Sequence, residues 1–105
     1  MREPDVAFVR REHIPPDGIP ESFWPGPADL AVEIRSPGDR RSEILAKVED
    51  YLSRGVRLVW VVDPRQKSVT VYRRMLAPIT LGMDETLDGA DVVPGFTLAV
   101  RRIFE

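Results

Sequence analysis

The sequence contains no cysteine, which excludes disulfide bridges, thiolate metal ligands and a cysteine nucleophile. It has a single histidine, His13, and no apolar run near the roughly 18 residues that a membrane-spanning helix needs. It also lacks a glycine-rich phosphate loop, a nucleophile elbow and a zinc-binding motif. The N-terminal residues do not form the apolar core of a signal peptide. These absences lead us to expect a cytoplasmic protein that does not enter a membrane.

Lysine is also scarce, and Lys47 and Lys67 are the only lysines among the 15 lysine and arginine residues. The net charge of −2 does not indicate nucleic-acid binding by the molecule as a whole. Pairs of arginines recur along the chain, and they are consistent either with a local basic face or with ordinary solvated surface. The 105 residues and the ordinary composition predict one globular domain, residues 1–105.

The hydrophobic pattern predicts a mixed α/β architecture. Residues 12–27 carry five prolines and two glycines, so we expect an irregular connection there. After it come an alternating strand, a helix with one apolar face, and a nearly continuous apolar strand, which is the order of a βαβ unit. The predicted elements are strands at Pro4–Val9 and Asp29–Arg35, a helix from an N-cap at Asp39 or Ser42 to about Arg54 with Gly55 as its stop signal, strands at Val56–Val62, Ser68–Arg73 and Ala77–Leu81, and a final element in the tail that packs on the sheet.

Two carboxylates and a lysine form the main candidate site. Asp5 and Glu33 lie on two strands that can be neighbours, and Lys47 lies at the edge of the apolar face of the helix. Two carboxylates can hold a hard divalent cation, beside which a lysine can orient water or stabilise charge on a phosphate. The alternative is that Glu33 lies on a solvated strand face and pairs incidentally with Arg35.

Several motifs together resemble the Uma-type restriction endonuclease family of the PD-(D/E)XK nuclease superfamily. They are PD at Pro4-Asp5, DLAVEIRSPGDR at 29–40, KVEDYLSRGV at 47–56, LVWVVDP at 58–64 and LDGADVVPGF at 87–96. The resemblance covers nearly the whole chain. It implies a restriction-endonuclease-like core, which is a mixed sheet with a flanking helix, and a DNA endonuclease that uses Mg²⁺ or Mn²⁺.

The resemblance also implies roles for individual residues. Asp5 and Glu33 correspond to the metal-binding acidic pair. The superfamily lysine usually follows two residues after the acidic residue, where this chain has Arg35, and in this family it stands on the next helix, as Lys47 does. Arg35 is then an auxiliary partner of phosphate or carboxylate, and Asp29 is a second candidate for a metal contact.

One feature departs from the family pattern. Family members usually carry a long segment before the PD strand, and this chain begins at that strand. We therefore expect an N-terminally shortened member that corresponds to the C-terminal portion of the usual domain. A catalytically inactive remnant or an oligomeric binding module is the alternative to an active nuclease, and unpaired strand edges favour self-association.

Overall fold

The computed structural model describes residues 5–9, 28–90 and 92–105. Seven strands and two helices follow one another within these residues. In chain order they are β1 (Val6–Phe8), β2 (Leu30–Ile34), α1 (Arg41–Ser53), β3 (Leu58–Asp63), β4 (Ser68–Arg73), β5 (Ile79–Leu81), β6 (Thr86–Asp88), β7 (Thr97–Ala99) and α2 (Val100–Ile103). Strands β1 to β5 and the long helix appear where the sequence pattern predicts them, with ends that differ by a few residues, whereas β6 was not predicted. The proline-rich segment 12–27 lies outside the described residues.

The five strands β1 to β5 form one mixed sheet in the order of the chain. β2 and β3 pair in parallel, and α1 makes the crossover between them. All other neighbouring strands pair antiparallel. β6 and β7 form a separate two-stranded antiparallel sheet. The predicted mixed sheet with a flanking helix is thus confirmed.

Both faces of the main sheet are covered. On one face, Ile44 and Val48 of α1 pack against Ala31, Val59 and Val61 of the two parallel strands. The other face carries the apolar side chains that alternate along the strands with those under the helix, and the residues after β5 pack against it. The buried members of this second cluster are Leu30, Leu58, Trp60, Val62, Val69, Leu87, Val92 and Val100. Because both faces are covered, β3 is buried along nearly its whole length, as its continuous apolar sequence predicts.

Helix α1 ends as expected and begins differently. Gly55 has φ +102°, and the amides of Gly55 and Val56 donate to the carbonyls of Leu52 and Tyr51, which closes a Schellman motif. The predicted N-cap at Asp39 or Ser42 is wrong, because the N-cap position is Arg40 and no side chain caps the helix. The carboxylate of Asp39 instead accepts the Ser36 amide at 2.8 Å and closes the turn before the helix.

No helix within the described residues is long and apolar enough to cross a membrane.

Candidate active site

Glu33 lies on the face of β2 that α1 covers. Side chains alternate along a strand, so Glu33 shares this face with Ala31, while Val32 and Leu30 belong to the opposite core. Its register partner on β3 is Val61, which also packs under the helix. Glu33 is only 3% exposed. A carboxylate buried to this extent needs polar partners, because its desolvation is costly.

Two residues of α1 supply those partners. Lys47 Nζ lies 3.0 Å from Glu33 Oε1, and the Tyr51 hydroxyl donates to Oε2 at 3.2 Å. The two residues are four apart on one helix, so they project from the same side towards β2. The hydrogen bond to Glu33, and then the negative charge of Glu33, raise the pKa of Lys47 above its usual value. Lys47 is therefore an ammonium at neutral pH.

Asp5 lies one strand away from Glu33. β1 and β2 are antiparallel with Val6 opposite Val32, and Asp5 directly precedes β1, so Asp5 lies beside the end of β2 that carries Glu33. Asp5 Oδ2 accepts the backbone amide of Ile34 at 2.6 Å, and the negative charge of Asp5 also contributes to the raised pKa of Lys47. The structure thus brings Asp5, Glu33 and Lys47 into one region.

The oxygen atoms of this pair suit a hard divalent cation. Each Glu33 oxygen accepts one hydrogen bond from the helix, and a carboxylate oxygen has a second lone pair. Asp5 is exposed, and among the described residues no donor occupies its Oδ1. Mg²⁺ commonly binds proteins through one or two carboxylates, with water and substrate phosphate completing its shell. Within the described residues no cluster of three or more histidine, cysteine or acidic side chains forms a larger metal site.

The two auxiliary candidates lie elsewhere. Asp29 is buried just before β2, four residues from Glu33, which is about 13 Å along a strand. It belongs to the opposite end of the strand and is not brought to the carboxylate pair. Arg35 lies just beyond the other end of β2, where its guanidinium contacts Asp63 at 3.8 Å. The incidental Glu33–Arg35 pairing considered above is therefore wrong, since the partners of Glu33 are Lys47 and Tyr51.

Tyr51 is the site residue that sequence reasoning missed. It follows Ile44 by seven residues and Val48 by three, which is the spacing of one helix face, and it is buried with them in the cluster under the helix. What the apolar pattern could not show is that its hydroxyl turns to a carboxylate on β2. The spacing of four residues after Lys47 was the available signal, because such a pair shares one side of a helix.

The mixed sheet with its crossover helix agrees with the restriction-endonuclease-like core. The chain belongs to the Uma2 family, described as "Putative restriction endonuclease", whose sequence profile matches residues 1–101.

The fold is also similar to the crystal structure of a "putative nuclease belonging to DUF820" from Anabaena variabilis ATCC 29413. The two chains share 21% sequence identity and superpose with a TM-score of 0.79. The match covers 96% of this chain and 58% of the other, so this chain spans somewhat over half the length of that protein. No curated protein matches this sequence significantly.

Proposed function

We propose that this chain is a Mg²⁺- or Mn²⁺-dependent DNA endonuclease with Asp5, Glu33 and Lys47 as its catalytic residues. The observation that carries the proposal is the buried carboxylate of Glu33, which is bound by Lys47 and Tyr51 and lies next to Ile34, whose amide donates to Asp5. A structural role alone does not account for a buried carboxylate paired with a lysine, because hydrophobic residues of similar volume are often at least as stable there. Membership of the Uma2 family supports DNA as the substrate.

Asp5 and Glu33 would hold the cation through their carboxylate oxygens. A divalent cation bound there would lower the pKa of a water molecule and stabilise negative charge on the phosphodiester. Hydrolysis adds the oxygen of water to phosphorus and breaks one P–O bond, and the released sugar oxygen takes up a proton.

The two residues on α1 have different parts in this proposal. The Lys47 ammonium would stabilise the charge that develops on the phosphoryl oxygens, since it carries its proton at neutral pH. Tyr51 is a positioning residue, because its hydroxyl fixes the second oxygen of Glu33 and does not reach the substrate in this role.

We also propose that residues 1–105 form a single domain, which the hydrophobic clusters on the two faces of the main sheet support. Simultaneous cleavage of both strands of a duplex ordinarily uses two active sites, so a homo-oligomer is the form we expect to make double-strand breaks. The cytoplasmic location stays a prediction from the sequence.

The proposal is tested by nicking of supercoiled plasmid in Mg²⁺ or Mn²⁺. We expect Glu33→Gln and Lys47→Met to lower the nicking rate about a hundredfold, the scale seen when one charge-stabilising group is removed. Lys67→Met is the matched control, because Lys67 is the other lysine and is exposed in the turn between β3 and β4. Circular dichroism of each variant verifies folding.

Two results would contradict the proposal. The first is nicking by Glu33→Gln at the rate of the unaltered chain. The second is absence of nicking together with absence of Mn²⁺ binding in calorimetry, which would favour the binding-module alternative.

A further inference from the structure

A second polar region lies on the same face of the sheet as Glu33. Glu33 pairs in register with Val61, Val61 with Thr70, and Thr70 with Thr80, so one row crosses four strands. Residues in one such row project from the same face. With strands about 4.8 Å apart, Thr70 lies roughly 10 Å from the strand position of Glu33. The polar side chains of β4 and β5 are thus aligned with the proposed active site.

These residues line a cavity between the start of α1 and strands β3 to β5. Its volume is about 170 Å³, and the charged and aliphatic hydroxyl side chains of its lining belong to Arg35, Arg41, Asp63, Ser68, Thr70 and Thr80. The cavity is large enough for a phosphate group, since a single water needs only about 10–15 Å³ of such volume. It does not include Glu33 or Lys47 and is therefore separate from the catalytic residues.

The charge of the lining favours an anion. Arg35 and Arg41 contribute two positive charges, and Asp63 contributes one negative charge. The Asp63 carboxylate is occupied, because Oδ1 accepts the amides of Arg65 and Gln66 and Oδ2 faces Arg35 at 3.8 Å. Within the described part of the chain, no carboxylate forms an ion pair with Arg41. A guanidinium with an open fork is well suited to a phosphate.

The two threonines supply a further donor. Thr70 Oγ1 and Thr80 Oγ1 lie 3.0 Å apart and share one hydrogen bond. Two hydroxyl groups carry two hydrogens, so one remains for a ligand after the shared bond is made. The cavity thus offers a guanidinium and a neutral hydroxyl, both of which are common partners of backbone phosphates in protein–DNA contacts.

We propose that this cavity binds a backbone phosphate of the DNA strand that is cut, at a position beside the scissile phosphate. This inference rests on the proposed nuclease function for its substrate. Arg41 is the principal contact, Thr70 and Thr80 are secondary contacts, and Arg35 adds positive charge. These residues position the DNA and do not take part in hydrolysis.

The test is binding of a fluorescent DNA duplex, followed by anisotropy in EDTA so that neither metal nor cleavage contributes. We expect Arg41→Ala to weaken binding about tenfold at low salt, because it removes a charge-assisted contact to phosphate. It should also reduce the slope of log Kobs against log salt by about 0.9, the value for one phosphate contact. Thr70→Val/Thr80→Val should weaken binding with the slope unchanged, since neutral hydroxyls displace no counterions.

Arg102→Ala is the matched control. Arg102 is exposed on α2, which packs on the opposite face of the sheet, and it makes no ion pair among the described residues. The inference is overturned if Arg41→Ala and Arg102→Ala have the same affinity and salt slope, or if the unaltered chain does not bind DNA at all.

The nicking assay separates this inference from the proposed function. A chain that nicks plasmid, but whose binding does not depend on Arg41, would retain the nuclease function and lose the phosphate site. A chain that binds DNA with an Arg41-dependent slope and nicks nothing would retain the site and lose the function.

Discussion

At the residue scale, both side-chain partners of the buried Glu33 come from a single helix. Lys47 and Tyr51 each satisfy one of its oxygens, and both belong to α1. Removal of one partner of a buried ion pair leaves the other charge poorly solvated, at a cost of about 3–5 kcal/mol when both are fully buried. The Lys47 side chain is 35% exposed, so the cost here should be lower.

We predict that Lys47→Met lowers the free energy of unfolding of the metal-free protein by about 1–3 kcal/mol, because it leaves the Glu33 carboxylate without its cation. Urea unfolding measures the change. Addition of Glu33→Gln to Lys47→Met should recover much of the loss, since the double variant buries no unpaired charge. Strictly additive losses in this double-mutant cycle would show that the pair does not interact in solution.

At the scale of the element, the C-terminal end of α1 requires a glycine. Gly55 has φ +102°, a region in which any side chain is strained. Gly38, in the turn before the helix, has no positive φ, and a Cβ atom added there would meet nothing within 4 Å. The backbone conformation at Gly55 therefore requires glycine, whereas the conformation at Gly38 does not.

We predict that Gly55→Ala lowers the free energy of unfolding by about 1–2 kcal/mol, because alanine is strained at positive φ. Gly38→Ala should change it by less than about 0.5 kcal/mol, as expected for an exposed position without strain. Thermal or urea unfolding of both variants makes the comparison. Equal effects would mean that the Schellman motif does not depend on glycine.

The elements were predictable to the extent that the period of apolar residues sets them. β4 has the predicted bounds, and the alternation in β2 correctly separates Glu33 from Leu30 and Val32. The helix N-cap was not predictable, because the Asp39 carboxylate can either cap the helix or accept a hydrogen bond within the preceding turn. In the structure it accepts the Ser36 amide. The hydrogen bond from Tyr51 to Glu33 was missed because the apolar pattern shows which face of the helix the ring occupies, but not which group its hydroxyl contacts.

At the scale of the whole molecule, the two proposed metal ligands come from distant parts of the chain. Asp5 and Glu33 lie 28 positions apart in the sequence, on either side of the proline-rich segment 12–27, and come together when β1 pairs with β2. A ligand that bridges them binds the folded chain and not the unfolded chain, so it stabilises the fold.

We predict that Mn²⁺ at a hundred times its Kd raises the free energy of unfolding by about 2.7 kcal/mol, through preferential binding to the folded state. Asp5→Asn should abolish most of this increase. Asp84→Asn should leave it intact, since Asp84 is an exposed carboxylate that pairs with Arg101 in the C-terminal part. Thermal unfolding with and without Mn²⁺ measures the increase. If Mn²⁺ stabilised Asp5→Asn as much as the unaltered chain, the ion would not bind at Asp5.

The edge position of β1 has a consequence for affinity. β1 comprises three exposed residues and pairs, among the described strands, with β2 alone. Short exposed strands detach from a sheet at a free energy well below that of global unfolding. Glu33 lies on an interior strand, whereas Asp5 is beside it only while β1 is docked. For the proposed metal site, the apparent Kd would therefore equal the intrinsic Kd divided by the docked fraction of β1. Anything that fastens this edge would tighten metal binding without touching a ligand atom.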